Sequence, residues 1–293
     1  GILSLGITFT GCHASHSQTD SQKTISRQTE PQAGPAQTET SSTLSLIDAS
    51  GMTLESRIHT PDGYTRTKEA DGSLAEFLRN YAMEPDQSPV LLYDGSKKRN
   101  QKAHVAVFDL PLEHEDLQQC ADSAIRVYDR IAFHFTNGFD AQYTKWADGY
   151  RIRVNGNNVS WIKSAQPDTS YDSLKDYLRI VFSYAGTASM DTEAQPIPLS
   201  DLQVGDVFLK GGNPGHVVMV VDLCENADGK KAFLLAQGYM PAQQFHVLKN
   251  PAHEDDPWYY EDEVTYPFHT PEYTFQKGSL KRLNYGITHT APE

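Results

Sequence analysis

The chain has 293 residues, of which 38% are hydrophobic, and its formal net charge is −13 at pH 7. This length and apolar fraction allow one large domain or two small ones to bury a core. The carboxylates are not offset by a basic stripe, which argues against nucleic acid as a partner. Beyond the N-terminal region, no stretch of the sequence is long and apolar enough to cross a bilayer.

The N-terminal residues are typical of a lipoprotein leader. Residues 1–12 are apolar, too short to span a bilayer, and end in Gly11-Cys12, which resembles the lipobox of bacterial lipoproteins. Residues 13–43 are rich in Ser, Thr, Gln and Pro and offer few apolar groups to offset the entropy of ordering, which predicts a disordered tether. We therefore expect a lipid anchor on Cys12, with the protein in the cell envelope, either periplasmic or at the surface. The alternative is an apolar tail with an incidental cysteine.

The remaining sequence has the composition of a folded domain. We expect residues 44–293 to form a single globular domain with three parts. Residues 44–110 are an α/β part, and residues 111–250 are a core that would carry a catalytic site. Residues 251–293 are an extension rich in Pro and aromatic residues.

The first elements are predicted from capping and turn signals. Ser73 and Glu76 have capping-box spacing ahead of an apolar stripe, which predicts a helix that ends before Pro85. Alternating apolar residues bounded by turn residues predict strands at residues 64–67, 90–93 and 103–110.

A helix carrying a cysteine comes next. Residues 116–131 have apolar positions at helical spacing, and Asp116 is a suitable N-cap. This pattern predicts that Cys120 faces inward, one turn from the helix start. The helix dipole favours a thiolate there, but a small buried side chain is the alternative explanation, because cysteine is among the most buried residue types.

The middle and the end of the chain alternate between strand and loop signals. The predicted elements are a helix at 171–184 and short strands at 132–136, 150–154 and 159–162. The acidic run at 253–263 lacks a calcium-loop pattern and is interpreted as a solvated loop. No histidine falls in a recognised metal-ligand arrangement, so we predict neither a metal nor another cofactor.

A single histidine begins the longest apolar strand that the sequence predicts. The segment 202–222 has a Gly/Pro turn, then His216 and a run of valines, which predicts a strand at 216–223 followed by a hairpin to a second strand at 230–237. If Leu223 faces Lys230, His216 falls directly opposite Gln237. The Gln amide could then accept a hydrogen bond from the imidazole and fix its tautomer.

These residues form a candidate catalytic set. Cys120 would be the nucleophile, His216 the general base and Gln237 the residue that orients the ring. Lowering a thiol pKa from about 8.5 to about 6 needs roughly 3 kcal/mol. A helix terminus stabilises a thiolate by only about 0.3 to 1 kcal/mol. The imidazole would therefore have to provide most of the remaining stabilisation of the thiolate. Further candidates are Gln118 and Gln119, beside a backbone N–H, for an oxyanion, and Tyr239 and Met240 for the cleft wall.

The histidine segment resembles a known group of enzymes. Residues 205–222, GDVFLKGGNPGHVVMVVD, are similar to the GD...GHV segment of the NlpC/P60 and CHAP cysteine peptidases. That resemblance implies an α+β, papain-like fold in which a helix bearing the cysteine, here Cys120, packs on an antiparallel sheet bearing His216 and then Gln237. Those enzymes usually have Asp-Cys-Ser-Gly at the helix start, whereas this chain has Gln-Cys-Ala-Asp.

A second resemblance covers more of the folded chain. The sequence resembles bacterial domain-of-unknown-function family 4846, which is common among lipoproteins and implies no established activity. The resemblance is carried by QQCAD at 118–122, YAGT at 184–187, GGNPGH at 211–216 and AQGYMPAQ at 236–243.

Three functional interpretations follow. The first is a lipid-anchored cysteine hydrolase that cleaves an amide bond in a cell-wall or other peptide. The second is a non-catalytic lipoprotein domain that binds a glycan or peptide near Tyr239 and Met240. In the third, Cys120 is a core residue or a disulfide partner of Cys224 and His216 is merely hydrogen-bonded at a strand start.

Overall fold

The protein was analysed as a computed structural model that describes residues 45–128, 132–135 and 137–285. The predictions for the leader, the tether and the lipid anchor on Cys12 lie outside these residues. Within the described ranges the structure is a mixed α+β arrangement. The helices are α1 (Leu54–Arg57), α2 (Leu74–Arg79), α3 (Cys120–Val127), α4 (Tyr143–Ala147), α5 (Tyr171–Tyr184) and α6 (Thr187–Glu193), with 3-10 turns at Leu199–Asp201 and Glu261–Glu263.

The strands are mostly short, and one hairpin of long strands lies at their centre. In chain order they are β1 (Tyr64–Arg66), β2 (His104–Val107), β3 (Ala132–His134), β4 (Asp140–Gln142), β5 (Tyr150–Asn155), β6 (Asn158–Lys163), β7 (Ala194–Pro196), β8 (Val207–Lys210), β9 (His216–Asn226), β10 (Lys231–Gln237), β11 (His246–Leu248), β12 (Tyr259–Tyr260), β13 (Phe268–His269), β14 (Thr274–Phe275) and β15 (Leu280–Leu283).

The main sheet has nine strands, and its pairings are antiparallel. The strand order is β2-β11-β10-β9-β8-β15-β7, with β1 added to β9 and β12 added to β10. The hairpins β3-β4, β5-β6 and β13-β14 stand apart from this sheet. An antiparallel sheet with helices, as predicted, is therefore present.

The two faces of the sheet carry separate apolar clusters, as the side-chain alternation of a strand requires. On one face Val217 and Met219 of β9 pack in the cluster that contains α3. On the other face Val218 and Val220 pack with Phe208 and the C-terminal strands. This second cluster holds the late segment against the body.

Several local predictions are confirmed. Ser73 caps α2, because its hydroxyl accepts the backbone N–H of Glu76. Helix α5 has the predicted bounds, and the two predicted strands β5 and β6 pair across a tight turn, where Gly156 has a φ of 58°. The strand predicted at 90–93 is wrong. Its residues make only isolated bridges, Leu91 with Lys97 and Leu92 with Gln243, because the Asp-Gly turn folds the chain straight back.

The predicted register of the central hairpin is also wrong. Strand β9 continues to Asn226, so Leu223 pairs with Phe233 rather than with Lys230. The register then shifts between Leu234 and Leu235, where β9 contributes one extra residue, a β-bulge. The first difference comes from the longer β9 and the tighter turn between Asn226 and Lys231.

A buried ion cluster ties the N-terminal elements to β9. The Asp222 carboxylate is fully buried and accepts from Nε of Arg66 at 2.7 Å and from Nε of Arg79 at 2.8 Å. Because Arg66 lies in β1 and Arg79 in α2, this carboxylate fixes both elements on the central strand. Among the described residues, no helix has the length and apolar character needed to cross a membrane.

Candidate functional site

Polar side chains meet at one end of three neighbouring strands. His216 begins β9, Gln237 ends β10 and His246 begins β11, and Gln237 pairs directly with His246. All three are buried, with exposed fractions of 2%, 1% and 0% respectively. An unpaired buried polar group costs free energy, and at this end of the sheet Gln237 contacts both histidines.

The structure joins His216 to Gln237. The imidazole Nε2 lies 2.7 Å from Oε1 of the Gln237 amide. The two residues are not opposite each other: Ala236 pairs with Met219, which brings Gln237 alongside Val218, two residues from His216 on the same face. Diagonal neighbours of this kind are within reach of long side chains. The predicted contact is present, through a different register.

Aromatic rings enclose the imidazole. The ring centroids of Tyr239, Tyr273 and Phe275 lie 4.5, 4.9 and 6.2 Å from that of His216. Burial lowers the pKa of His216 to about 4, the Gln237 hydrogen bond opposes this, and Lys98 adds to the lowering. His216 is therefore neutral near pH 7 and can accept a proton at its second nitrogen, Nδ1.

Gln237 is itself held by a charged pair. Its Nε2 donates to Oε2 of Glu272 at 2.7 Å, and the same oxygen accepts from Nζ of Lys98. Nε2 of His246 lies 3.4 Å from the Gln237 nitrogen and 3.5 Å from the Lys98 nitrogen. These contacts form one buried network, called the histidine network below, which consists of Lys98, Glu272, Gln237, His246 and His216.

Cys120 is the first residue of α3, not one turn inside the helix as predicted. Gln119 occupies the N-cap position, and its backbone N–H donates to Oδ2 of Asp122 at 3.1 Å. Asp116, the predicted cap, instead accepts the backbone N–H of Ala242 at 2.6 Å. Asp116 is therefore engaged by a residue 126 positions away in sequence, and Gln119 caps α3 instead.

The thiol of Cys120 is buried and protonated. Its residue is 8% exposed, and burial raises its pKa to about 11. The nearby Asp122 carboxyl also raises this pKa, whereas the backbone N–H groups of Ala121, Val217 and Cys120 itself lower it. Three backbone donors around the sulfur form a setting that can stabilise negative charge once it develops.

Cys120 and His216 both lie near the start of β9, but their side chains do not bond each other. No hydrogen bond joins the described atoms of these two side chains. The N–H of Val217, the residue next to His216, is directed at the sulfur. Burial raises the pKa of Tyr239 and of Tyr273, and Cys120 adds to the rise in both. The same tyrosines contact the His216 ring, so thiol and imidazole share their neighbours.

The two glutamines before Cys120 are engaged elsewhere. Oε1 of Gln118 accepts from Arg126, and its Nε2 is buried without a partner. Nε2 of Gln119 donates to Oδ1 of Asp116 at 3.2 Å. Their role at an oxyanion stays a prediction.

Cys224 does not pair with Cys120 in the structure. Both thiols are free, and Cys224 is fully buried within β9, between Arg66 of β1 and Ala232 of β10. Its sulfur donates to the carbonyl of Ala232 at 3.6 Å, and burial raises its pKa to about 12. The disulfide alternative is therefore wrong for this structure, because the strand register places Cys224 at the far end of β9 from His216.

One of the two predicted cleft residues, Tyr239, lies beside the imidazole. Tyr239 is half-buried against His216, and Met240, the next residue, is 60% exposed. Sequence reasoning missed Lys98, Glu272 and Tyr273, which lie in loops without a recognisable motif. Within the described ranges, His, Cys, Asp and Glu side chains form no group of three or more suited to a metal ion.

Comparison with known proteins identifies a family. No curated protein and no solved structure matches the chain significantly. A family model described as Domain of unknown function (4846) matches residues 54–282, which includes α3 and the whole histidine network. The chain therefore belongs to domain-of-unknown-function family 4846.

Proposed function

We propose that this protein is a cysteine hydrolase that cleaves an amide bond, with Cys120 as nucleophile, His216 as general base and Gln237 as the orienting residue. One observation carries the proposal: Nε2 of His216 is tied to Gln237 at 2.7 Å, which leaves Nδ1 available for a proton, and Cys120, a free cysteine, begins α3. The triad logic of nucleophile, base and orienter requires this division of the two ring nitrogens.

The reaction proceeds in two balanced steps. The Sγ–H proton of Cys120 passes to Nδ1 of His216 while sulfur bonds to the amide carbon and the carbonyl π electrons move to oxygen. The C–N bond then breaks, the amine leaves with the Nδ1 proton, and a thioester remains. A water next gives a proton to Nδ1 as its oxygen attacks the thioester; the C–S bond breaks and sulfur regains the proton. One amide and one water yield an acid and an amine.

The resting site is a neutral pair. The raised pKa of Cys120 and the lowered pKa of His216 both disfavour a thiolate–imidazolium pair before substrate arrives. Proton transfer therefore accompanies attack, when bound substrate brings the two groups within reach. Catalytic hydrogen bonds are often long in a free enzyme and tighten in the substrate complex. Backbone N–H groups at the start of α3 would receive the oxyanion, with Gln118 and Gln119 as additional candidates.

The substrate class is inferred from the location expected for the protein, the cell envelope. We propose a peptide of the cell envelope, such as a cell-wall peptide, bound along Tyr239 and Met240. A lipid anchor on Cys12 would hold the domain at the membrane, in the periplasm or at the surface. The distant similarity of the segment around His216 to NlpC/P60 and CHAP peptidases supports a papain-like arrangement of helix and sheet.

A second candidate is a non-catalytic domain that binds a glycan or peptide. The observation in its favour is the aromatic wall of Tyr239 and Tyr273 beside the exposed Met240, since aromatic surfaces of this kind bind sugar rings and apolar side chains. In that case the neutral Cys120 would never be acylated.

Trapping an acyl-enzyme separates the two candidates. The full chain is incubated with p-nitrophenyl acetate at pH 7, quenched in acid, and mapped by peptide mass spectrometry. The hydrolase predicts an acetyl group on Cys120 that is absent in Cys120→Ala and strongly slowed in His216→Ala. Cys224→Ala, which removes the other free thiol described, should leave acylation unchanged. Acetylation spread over lysines, with Cys120 unmodified, would overturn the proposal and favour the binding domain.

A further inference from the structure

We infer that Glu272, held by Lys98, is a positioning residue that sets which nitrogen of His216 carries the proton, acting through the side-chain amide of Gln237. The inference rests on the proposed function, because it concerns the base of that reaction. It goes beyond the set of Cys120, His216 and Gln237 by assigning a role to two loop residues.

The amide of Gln237 has only one orientation that satisfies its neighbours. A carboxylate accepts hydrogen bonds and cannot donate them, so the atom of Gln237 that lies 2.7 Å from Oε2 of Glu272 must be the NH2 group. The carbonyl oxygen of the same amide must then face His216. Glu272 thereby determines the direction of the amide.

That orientation fixes the tautomer of His216. The amide oxygen accepts and cannot donate, so the nitrogen 2.7 Å away, Nε2, must carry the hydrogen. If Nδ1 carried the hydrogen instead, the lone pair of Nε2 would face the lone pairs of the Gln237 amide oxygen at this distance in a buried site. The Nδ1 lone pair is therefore free for the thiol proton.

His246 reinforces the same assignment. Its Nδ1 lies 2.8 Å from the carbonyl oxygen of Gln244, so Nδ1 carries the hydrogen and Nε2 presents a lone pair. This lone pair faces the amide nitrogen of Gln237 at 3.4 Å and Nζ of Lys98 at 3.5 Å. If the Gln237 amide were reversed, its oxygen would meet acceptors on both Glu272 and His246.

Lys98 and Asn100 hold Glu272 in place. Nζ of Lys98 donates to Oε2 of Glu272, and Nδ2 of Asn100 donates to Oε1 at 3.1 Å. Lys98 is only 7% exposed; burial lowers its pKa and the Glu272 carboxylate opposes this. A buried ion pair is weak evidence for stability, since desolvation offsets its attraction. Its position, one amide away from the imidazole, points to orientation of the base.

The test uses Glu272→Gln, a near-isosteric change that supplies both a donor and an acceptor to Gln237. The control is Asn100→Ala, which removes a donor to the other carboxylate oxygen and leaves the Gln237 contact intact. Two readouts are taken on the full chain at pH 7. One is the tautomer of His216 from long-range ¹H–¹⁵N NMR, assigned with His216→Gln. The other is the acylation rate of Cys120 by p-nitrophenyl acetate.

The expected result is a His216 with hydrogen on Nε2 in the wild type and in Asn100→Ala, and a mixture of both tautomers in Glu272→Gln. Acylation of Cys120 should fall about ten-fold in Glu272→Gln, within the range seen when the partner that orients a histidine is removed. A purely structural ion pair would change the thermal midpoint and leave the tautomer alone. An unchanged tautomer in folded Glu272→Gln would overturn the inference. Absence of acylation in the wild type would instead count against the proposed function, while the NMR readout still decides the tautomer.

Discussion

Nε2 of His216 and Oε1 of Gln237 lie 2.7 Å apart, although the two residues are diagonal neighbours in the sheet and not a directly opposed pair. The β-bulge in β9 and the length of the Gln side chain together make this contact possible. It commits Nε2 of the imidazole to a hydrogen bond and leaves Nδ1 available. The proposed chemistry depends on this division.

Gln237→Ala should destabilise the protein by about 1 to 3 kcal/mol, because it leaves the buried Nε2–H of His216 without an acceptor. The free energy of unfolding from urea titrations at pH 7 measures this loss. The control is Gln195→Ala in β7, where the side chain is exposed and the expected change lies within about 0.5 kcal/mol. Equal effects of the two substitutions would contradict the assignment of a buried hydrogen bond.

His216 should make the protein less stable as the pH falls from about 6.5 toward 4. Its pKa is lowered to about 4 in the folded state by burial, so between these values the unfolded chain binds more protons. The contribution of neutral His216 to the free energy of unfolding is thus fully present above pH 6.5, and about 3 kcal/mol of it is lost when the pH reaches 4. Burial also lowers the pKa of His246, so His246 adds to the loss of stability at low pH.

Urea titrations at several pH values between 4.5 and 7.5 measure this dependence. His216→Gln cannot titrate in that range, so its free energy of unfolding should change less steeply with pH than that of the wild type. Because the carboxylates of the protein are the same in both, their contribution cancels in the difference. Parallel curves for the two proteins would show that His216 is not buried in its neutral form.

Asp122→Asn should stabilise the protein relative to the wild type more at pH 8.5 than at pH 5. Burial raises the pKa of Asp122 to about 8 in the folded state, so between pH 4 and 8 the folded state holds the extra proton and stability falls as the pH rises. An asparagine oxygen can still accept the N–H of Gln119, as Oδ2 of Asp122 does. The expected gain from pH 5 to pH 8.5 is several kcal/mol, measured by urea unfolding; a gap that does not change with pH would contradict it.

Local signals in the sequence predicted local structure well. The serine cap of α2, the bounds of α5 and the β5-β6 hairpin each depend on residues within a few positions, and each is present. The start of α3 was missed because the predicted cap, Asp116, bonds Ala242 far along the chain. Tertiary contacts of this kind leave no periodic pattern in the sequence.

The site was predictable to the same extent. His216 and Gln237 lie on adjacent strands of one hairpin, so strand pairing brought them near each other even with the wrong register. Lys98 and Glu272 are 174 positions apart and lie outside the regular strands, so neither periodicity nor spacing connects them. Their contact depends on the C-terminal segment folding back over the second face of the sheet.

His216 is proposed to serve as the base for Cys120. The rate constant for alkylation of Cys120 by iodoacetamide at pH 7, followed by peptide mass spectrometry in the full chain and in His216→Ala, tests this role. Cys224, fully buried in the sheet, serves as the internal reference in each sample. If His216 is the base, Cys120 reacts faster than Cys224, and His216→Ala slows Cys120 by at least about ten-fold, consistent with loss of a general base. Equal rates for Cys120 in the two proteins, with the fold of His216→Ala intact, would show that His216 is not the base.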